Sequence, residues 1–415
     1  LCDPHSSGEP AVSAIARERN KRPSRVRCLP RWCSTAIIPT DLYPDERIHV
    51  PDLFSPLAAG DLSLANRIVM APLTRTRADA DGVPTDVMVE HYAQRASVGL
   101  IVSEGTFPSP AGKGFDGQPG LVTAEQLAGW RKVTDAVHAE GGLIVAQVMH
   151  AGRVTHPDIT GLPVEAPSAL AIAGETRAAG SKVAYPVPLA LGTDELPGIV
   201  DAFVSGSQNA VDAGFDGVEL HAANGYLLHE FLGATSNVRT DEYGGTPENR
   251  IRLVVEVVEA VVARLGAGRV GIRISPERNI QDLIEDDIAD VETVYGGLMD
   301  ALAPLGLAFV SVLHPEPAGA LVQGLRARFG GPFLVNTGFA EATTRDEAVA
   351  MMADSLGDAV VVGRALIANP DLVRRWKDEL GQNDLDFSTI YAEGPIGYTD
   401  YPTHDEAQAL ARAAS

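Results

Sequence analysis

"APLTRTRADADG" occupies residues 71–82 and overlaps the end of the first strongly apolar run of the chain, "RIVMAPLT" at 67–74. Its reading separates two folds. An open, doubly wound α/β sheet that binds a dinucleotide would carry a Gly-rich G-x-G-x-x-G turn after its first strand. This stretch has one glycine, Gly82, at its far end. A closed (β/α)8 barrel needs no such turn, because its ligand sits where all eight strands end. Seven further runs have the same character: "LIVSEGT" (100–106), "LIVAQVMH" (143–150), "GVELHAA" (217–223), "RVGIRIS" (269–275), "LAFVSVL" (307–313), "PFLVNTG" (332–338) and "AVVVGRALI" (359–367). Near-continuous apolar runs suit parallel strands covered on both faces.

Helical patterns fill the intervals. In "IRLVVEVVEAVVARL", Ile251, Val254, Val255, Val258, Val261, Val262 and Leu265 predict one apolar stripe. Thr246 is the expected N-cap, with Pro247 at the first helical position. The sequence therefore predicts an α/β protein, a (β/α)8 TIM barrel. One connection is long: residues 151–192, after the third strand, predict a capping loop over the site.

The chain has 415 residues, is 45% hydrophobic and carries a formal net charge of −22. That charge argues against nucleic acid and anionic membrane surfaces as partners, since phosphates need clustered Lys and Arg. No apolar run approaches the ~20 residues of a membrane-spanning helix, and a cytoplasmic location is expected. Cys2, Cys28 and Cys33 are the only cysteines. A cysteine nucleophile, an Fe–S cluster or a disulfide in the main body is thereby excluded, and no zinc-type spacing of His and Cys appears, so no metal is expected. Arg17, Arg19, Lys21, Arg22, Arg25, Arg27 and Arg31 crowd the first part of the chain with only Glu18 opposing them. Residues 1–50 are expected to be a disordered N-terminal extension, with an organellar presequence as the alternative. The barrel is expected over 51–403, and 404–415 as a C-terminal tail.

The predicted strand ends carry Thr74, Gly105, Gln147, His221 with Asn224 and Tyr226, Arg273, Gly338, Gly363 and Arg364. Each alone has a bland explanation. Gly338 and Gly363 could be turn glycines, and His221 a satisfied core histidine. Their shared end of the barrel favours a polar, anionic ligand, with the Gly-containing turns after the last two strands as its phosphate site.

These residues lie in motifs that resemble the Old Yellow Enzyme family of FMN-dependent ene-reductases: "MAPLTRTRA", "HYAQRASVGLIVSEGT", "VAQVMHAGR", "ELHAANGYLLHEFLGATSNVRTDEYGGTPENR", "VGIRISP", "VVGRALIANPDLV" and "GYTDYP". The resemblance runs from about residue 52 to 402. It implies noncovalent FMN, with NAD(P)H as reductant and a small-molecule enone as substrate. It implies that His221 and Asn224 clamp the substrate oxygen and that Tyr226 donates a proton to the α-carbon. Pro72, Thr74, Gly105, Gln147 and Arg273 are then expected around the flavin ring, and Gly338, Gly363 and Arg364 at its phosphate. Met149 stands where many members have tryptophan, and Tyr398 is expected at the active-site mouth. Two other readings are a flavin barrel acting mainly on nitro compounds or nitrate esters, and a flavin-binding protein without turnover. No acid that would read the ribose marks NADH from NADPH, and the oligomeric state is open.

Deletion of residues 1–48 is expected to leave flavin content and turnover intact. Absorbance of the purified truncated protein and its steady-state rate check this; loss of flavin would show that the segment supports the barrel.

Overall fold

The computed structural model describes residues 52–338 and 342–414. The predicted N-terminal extension thus lies outside the described residues. Eight parallel strands close into a barrel: β1 (Ile68–Met70), β2 (Leu100–Val102), β3 (Ile144–Val148), β4 (Gly217–Ala222), β5 (Val270–Ile274), β6 (Phe309–Leu313), β7 (Phe333–Asn336) and β8 (Ala359–Val362). Each pairs with its sequence neighbours, and β8 closes on β1 through Val360↔Ile68 and Val362↔Met70.

Alternation along the strands sorts side chains between two compartments. Val218, Leu220 and Ala222 of β4 join Ile272, Val310, Val335 and Val360 in the outer core beneath the helices. Val69, Leu100, Val145, Phe309, Leu334 and Ala359 fill the barrel's lower interior. An antiparallel hairpin, Leu57–Ala59 with Leu62–Leu64, adds Ala59, Leu62 and Leu64 to that inner cluster. Its turn requires Gly60, at φ +58°, because a Cβ there would stand 2.6 Å from the Gly268 carbonyl oxygen. The upper interior is left to polar residues.

Two expectations are corrected. The run 359–367 is not one strand: β8 ends at Val362, and Arg364–Ala368 is helical. Apolar content alone did not distinguish a buried strand from a buried helical turn. The helix after Thr246 is capped as expected, with the Thr246 side chain accepting from the Asn249 amide. It is interrupted at Ile251, and the following helix Arg252–Leu265 buries Leu253, Val254, Val257, Val258 and Val261. Ile251, Val255, Val262 and Leu265 are only partly buried, so the buried stripe is rotated from the predicted one. The expected tail carries a helix, His404–Ala414, tied back by Arg374 to Asp405 at 2.8 Å.

The capping loop is structured. It contains a hairpin, Glu175–Ala178 with Ser181–Ala184, and a short parallel pair, Glu165–Ala166 with Leu189–Ala190. Its root is fixed by Glu230, whose carboxylate accepts the Arg153 amide at 2.8 Å. Gly152, at φ +59°, lets that carboxylate approach: a Cβ would lie 2.2 Å from Oε1. Glu230 is fully buried, and its Oε2 has no partner among the described residues.

Burial pushes the Glu230 carboxyl up from 4.5 to about 8, partly offset by Arg153. The folded state therefore holds the proton that the unfolded chain releases near pH 4.5. Stability from this group is fully present below that value and is lost as the pH rises through about 8. Glu230→Gln is expected to lose less thermal stability than the parent between about pH 5 and about pH 8.5, as read by melting temperature across that range. Parallel pH curves for the two proteins would refute it.

Candidate active site

The polar residues of the upper interior form a connected layer. Glu219 and His221 alternate with the apolar positions of β4 and so point inward. The register sets Glu219 beside Gln147 of β3 and His221 beside Arg273 of β5. Gln147 donates from Nε2 to Glu219 Oε1 at 2.8 Å, and the same nitrogen lies 3.4 Å from His221 Nδ1. Arg273 donates to Ser311 Oγ at 3.0 Å and to Asn336 Oδ1 at 3.1 Å. Asn336 in turn donates to the Val361 carbonyl at 2.7 Å. The guanidinium is thus fixed from strands β6, β7 and β8.

Burial governs the electrostatics of this layer. It pushes the Glu219 carboxyl up, opposed by Arg273 and the Gln147 hydrogen bond, and it lowers Arg273, opposed by Glu219. It holds His221 well below 6.5, with Arg273 and His229 adding to the effect. His221 is therefore neutral at pH 7. With Nδ1 facing the Gln147 amide donor, its proton sits on Nε2.

The chain turns sharply after β4. Asn224 and Gly225 are both left-handed, at φ +59° and +81°. The Asn224 amide donates to Ser275 Oγ at 2.9 Å, and the Gly225 amide to His229 Nδ1 at 2.9 Å. The Tyr226 ring is brought to 5.2 Å from the His221 ring, tilted by 48°. Burial raises the Tyr226 phenol above its usual value, and Tyr185 and Tyr391 add to this, so it keeps its proton at neutral pH. Asn224 Oδ1 is buried with no partner among the described residues. The turn thus brings the Tyr226 ring beside His221 and leaves a buried, unpartnered Asn224 oxygen between them in sequence.

The other predicted residues divide. Pro72 and Thr74 follow β1 and are half-buried. Gly105 is needed by its neighbour as well as by any ligand, since a Cβ there would meet Met149 Sδ at 2.6 Å. Met149 itself is buried. Among the described residues, the nearest atom to a would-be Cβ at Gly338, whose φ is +101°, is on Leu313 at 4.0 Å. Gly363 meets Ala71 and Leu73 only at 3.6 Å. Arg364 follows Gly363, with its guanidinium over the Phe387 ring at 5.5 Å. The buried Arg273 Nε and Asn224 Oδ1, both without a partner among the described residues, fit a polar ring, and the absence of any tight contact at the two glycines fits an anionic tail beside them, as FMN has.

Tyr398 is a correction. It is fully buried and stacks on His91 with ring centroids 3.8 Å apart and planes 5° apart. The guanidinium groups of Arg75 and Arg77 lie over its ring, 5.0 and 4.8 Å from the centroid. It is therefore a core residue and not part of the mouth. Tyr391 is 69% exposed and close enough to Tyr226 to influence its phenol, as is Tyr185 of the capping loop. Phe115 packs edge-on to Tyr226 at 6.5 Å. Sequence reasoning also missed Glu219 and Ser311, and read Asn336 at the end of its strand without a role. The first was signalled by a carboxylate two positions before His221 on a core strand.

Comparison with known proteins agrees with this geometry. The model of the NADH:flavin oxidoreductase / NADH oxidase family matches residues 52–383. A probable flavin mononucleotide-dependent alkene reductase of Leishmania infantum is 41% identical over 360 residues, 84% of this chain and 97% of that protein. The old yellow enzyme homologue from Zymomonas mobilis superposes with a TM-score of 0.81 at 40% identity, covering 85% of this chain and 99% of that one. Morphinone reductase in complex with tetrahydroNAD superposes with a TM-score of 0.79 at 42% identity, covering 86% and 99%. The barrel, its polar upper layer and these matches together show that the chain belongs to the NADH:flavin oxidoreductase / NADH oxidase family, as an FMN-dependent oxidoreductase of the Old Yellow Enzyme type.

Proposed function

We propose that the chain reduces the activated C=C bond of α,β-unsaturated carbonyl compounds with NAD(P)H. The observation that carries this reading is that the end of β4 presents, within six positions, a neutral imidazole N–H, an amide whose buried oxygen has no partner among the described residues, and an un-ionised phenol. Bound FMN supplies a two-electron carrier between nicotinamide and substrate. Pro72, Thr74, Gly105, Gln147 and Arg273 would hold its ring, noncovalently, and Gly338, Gly363 and Arg364 its phosphate.

The chain's own residues then account for the rest. His221 Nε2 and the side-chain Nδ2 of Asn224 donate to the substrate carbonyl oxygen and stabilise the negative charge that grows on it. His221 can do so as a hydrogen-bond donor without losing its proton, because the interior keeps it neutral. Tyr226 delivers a proton to the α-carbon. The same donor and acceptor pair complements a primary carboxamide, the recognition element of a nicotinamide. A protein that merely stored flavin would need no acid beside this clamp. Phe115, Met149, Tyr185 and Tyr391 shape the entrance. Reduced nicotinamide is an intracellular reductant, and the reaction is assigned to the cytoplasm. The net charge of −22 favours small molecules over nucleic acid as partners.

Tyr226→Phe removes one hydroxyl and should leave FMN content and reduction by NAD(P)H unchanged. Reoxidation of the reduced protein by cyclohexenone is expected to slow about 10²- to 10⁴-fold, the usual worth of a general acid. Reoxidation by benzoquinone, which needs no proton on carbon, is expected to stay near the parent rate. Stopped-flow mixing with each oxidant decides the matter: equal slowing of both, or an unslowed enone, would mean that Tyr226 is not the acid.

A further inference from the structure

The helix Leu227–Leu232, which follows the catalytic turn, buries a histidine with every nitrogen occupied. His229 Nδ1 accepts the Gly225 amide at 2.9 Å. Its Nε2 lies 3.2 Å from Glu285 Oε1 and 2.9 Å from the Tyr295 hydroxyl. Tyr295 donates to the same Glu285 oxygen at 2.9 Å. Glu285 comes from the loop after β5 and Tyr295 from the helix Ile288–Leu302. Three elements therefore meet on one imidazole whose two nitrogens are both taken up by protein groups.

We infer that His229 is a positioning residue: with Glu285 and Tyr295 fixing its tautomer, it anchors the left-handed Asn224–Gly225 turn and thereby aims Asn224 and Tyr226. Because Nδ1 accepts, the ring proton must sit on Nε2, where the Glu285 carboxylate takes it. The reverse tautomer would set an N–H against the Gly225 N–H. Asn224 occupies a conformation that costs a non-glycine residue energy. Of the turn's amides, that of Asn224 is held by Ser275 and that of Gly225 by His229, both through side chains. The Tyr226 amide has only a longer bond to the Ala223 carbonyl, 3.3 Å. The Gly225 peptide is the link between the oxygen clamp and the proton donor, so its anchor sets their relative placement.

The inference rests on the proposed enone reaction, and the parent protein run in parallel with Tyr226→Phe separates the two. Asparagine places an oxygen on the same Cγ that carries Nδ1, so His229→Asn keeps an acceptor for Gly225. His229→Leu fills the space without one, and His229→Gln reaches the place of Nε2 instead. Full-length holoprotein of each variant is reduced and mixed with cyclohexenone or benzoquinone, and phenolate affinity is read from its long-wavelength charge-transfer band. His229→Leu is expected to slow the enone step at least about tenfold, with benzoquinone within about twofold, since small misplacements of reacting groups cost this much. Phenolate should bind more weakly, and His229→Asn should recover both properties to within about threefold. If the leucine variant does not fold, His229→Gln takes its place with the same expectation. Equal loss in the asparagine variant, equal slowing of benzoquinone, or no slowing of the enone overturns the inference. A Tyr226→Phe protein that reduces the enone normally removes Tyr226 from the role of acid, whereas a reduced parent protein that cyclohexenone fails to reoxidise overturns the proposed function instead.

Discussion

A carboxyl and a guanidinium buried in one layer of the barrel interior constrain everything above them. Glu219 and Arg273 are almost wholly removed from water. Burying either charge alone costs on the order of several kcal/mol. Each opposes the other's shift, and each is fixed by hydrogen bonds: Glu219 through Gln147, Arg273 through Ser311 and Asn336. These partners come from six different strands once the Val361 carbonyl that holds Asn336 is included. The network therefore depends on a closed barrel with fixed register. A slip of one residue on β4 would send Glu219 and His221 into the outer apolar core.

That layer determines the chemistry on top of it. Arg273 adds to the burial that keeps His221 neutral, and Gln147 faces Nδ1, which leaves the proton at Nε2. A neutral donor is suited to an oxygen that gains charge during the reaction. An imidazolium would already be satisfied by any anion in the pocket. Tyr226 is tuned in the other direction, by burial that disfavours phenolate. One environment thus keeps a base unprotonated and an acid protonated, with both still able to donate a hydrogen bond.

The barrel was legible because parallel strands covered on both faces need long apolar runs, and those runs survive in the sequence without their partners. The site was legible where polar residues interrupt such runs: Gln147, His221 and Arg273. Legibility failed where local pattern is degenerate. The run after Gly363 is as apolar as a strand, yet forms a helical turn. The stripe on Arg252–Leu265 was misplaced because valine occupies both its buried and its half-buried positions. Tyr398 and Tyr391 are two tyrosines in one Gly- and Pro-containing segment. Only the tertiary contacts of His91, Arg75 and Arg77 decide that the first goes inward. Glu219 was overlooked for a different reason: a carboxylate on a core strand has meaning only with its across-barrel partners in view.

The mouth is built on another principle from the floor. Arg75 donates to the carbonyls of Ile390 and Gly397 at 3.1 and 2.6 Å, and Arg77 to those of Thr389 and Ile396 at 3.1 and 3.0 Å. Both arginines belong to the stretch after β1 whose lack of a Gly-rich turn first decided the fold. They grip backbone oxygens, which every residue type supplies. Phe387, Tyr391 and Ile396 on the gripped segment remain largely exposed, at 62, 69 and 55%. Changing these side chains removes little buried surface and breaks none of these arginine–carbonyl bonds, whereas changing His221, Glu219 or Arg273 leaves a buried polar group unpaired. Side chains can therefore be exchanged on this segment at low cost to stability, while the hydrogen-bonded layer of the barrel interior stays fixed.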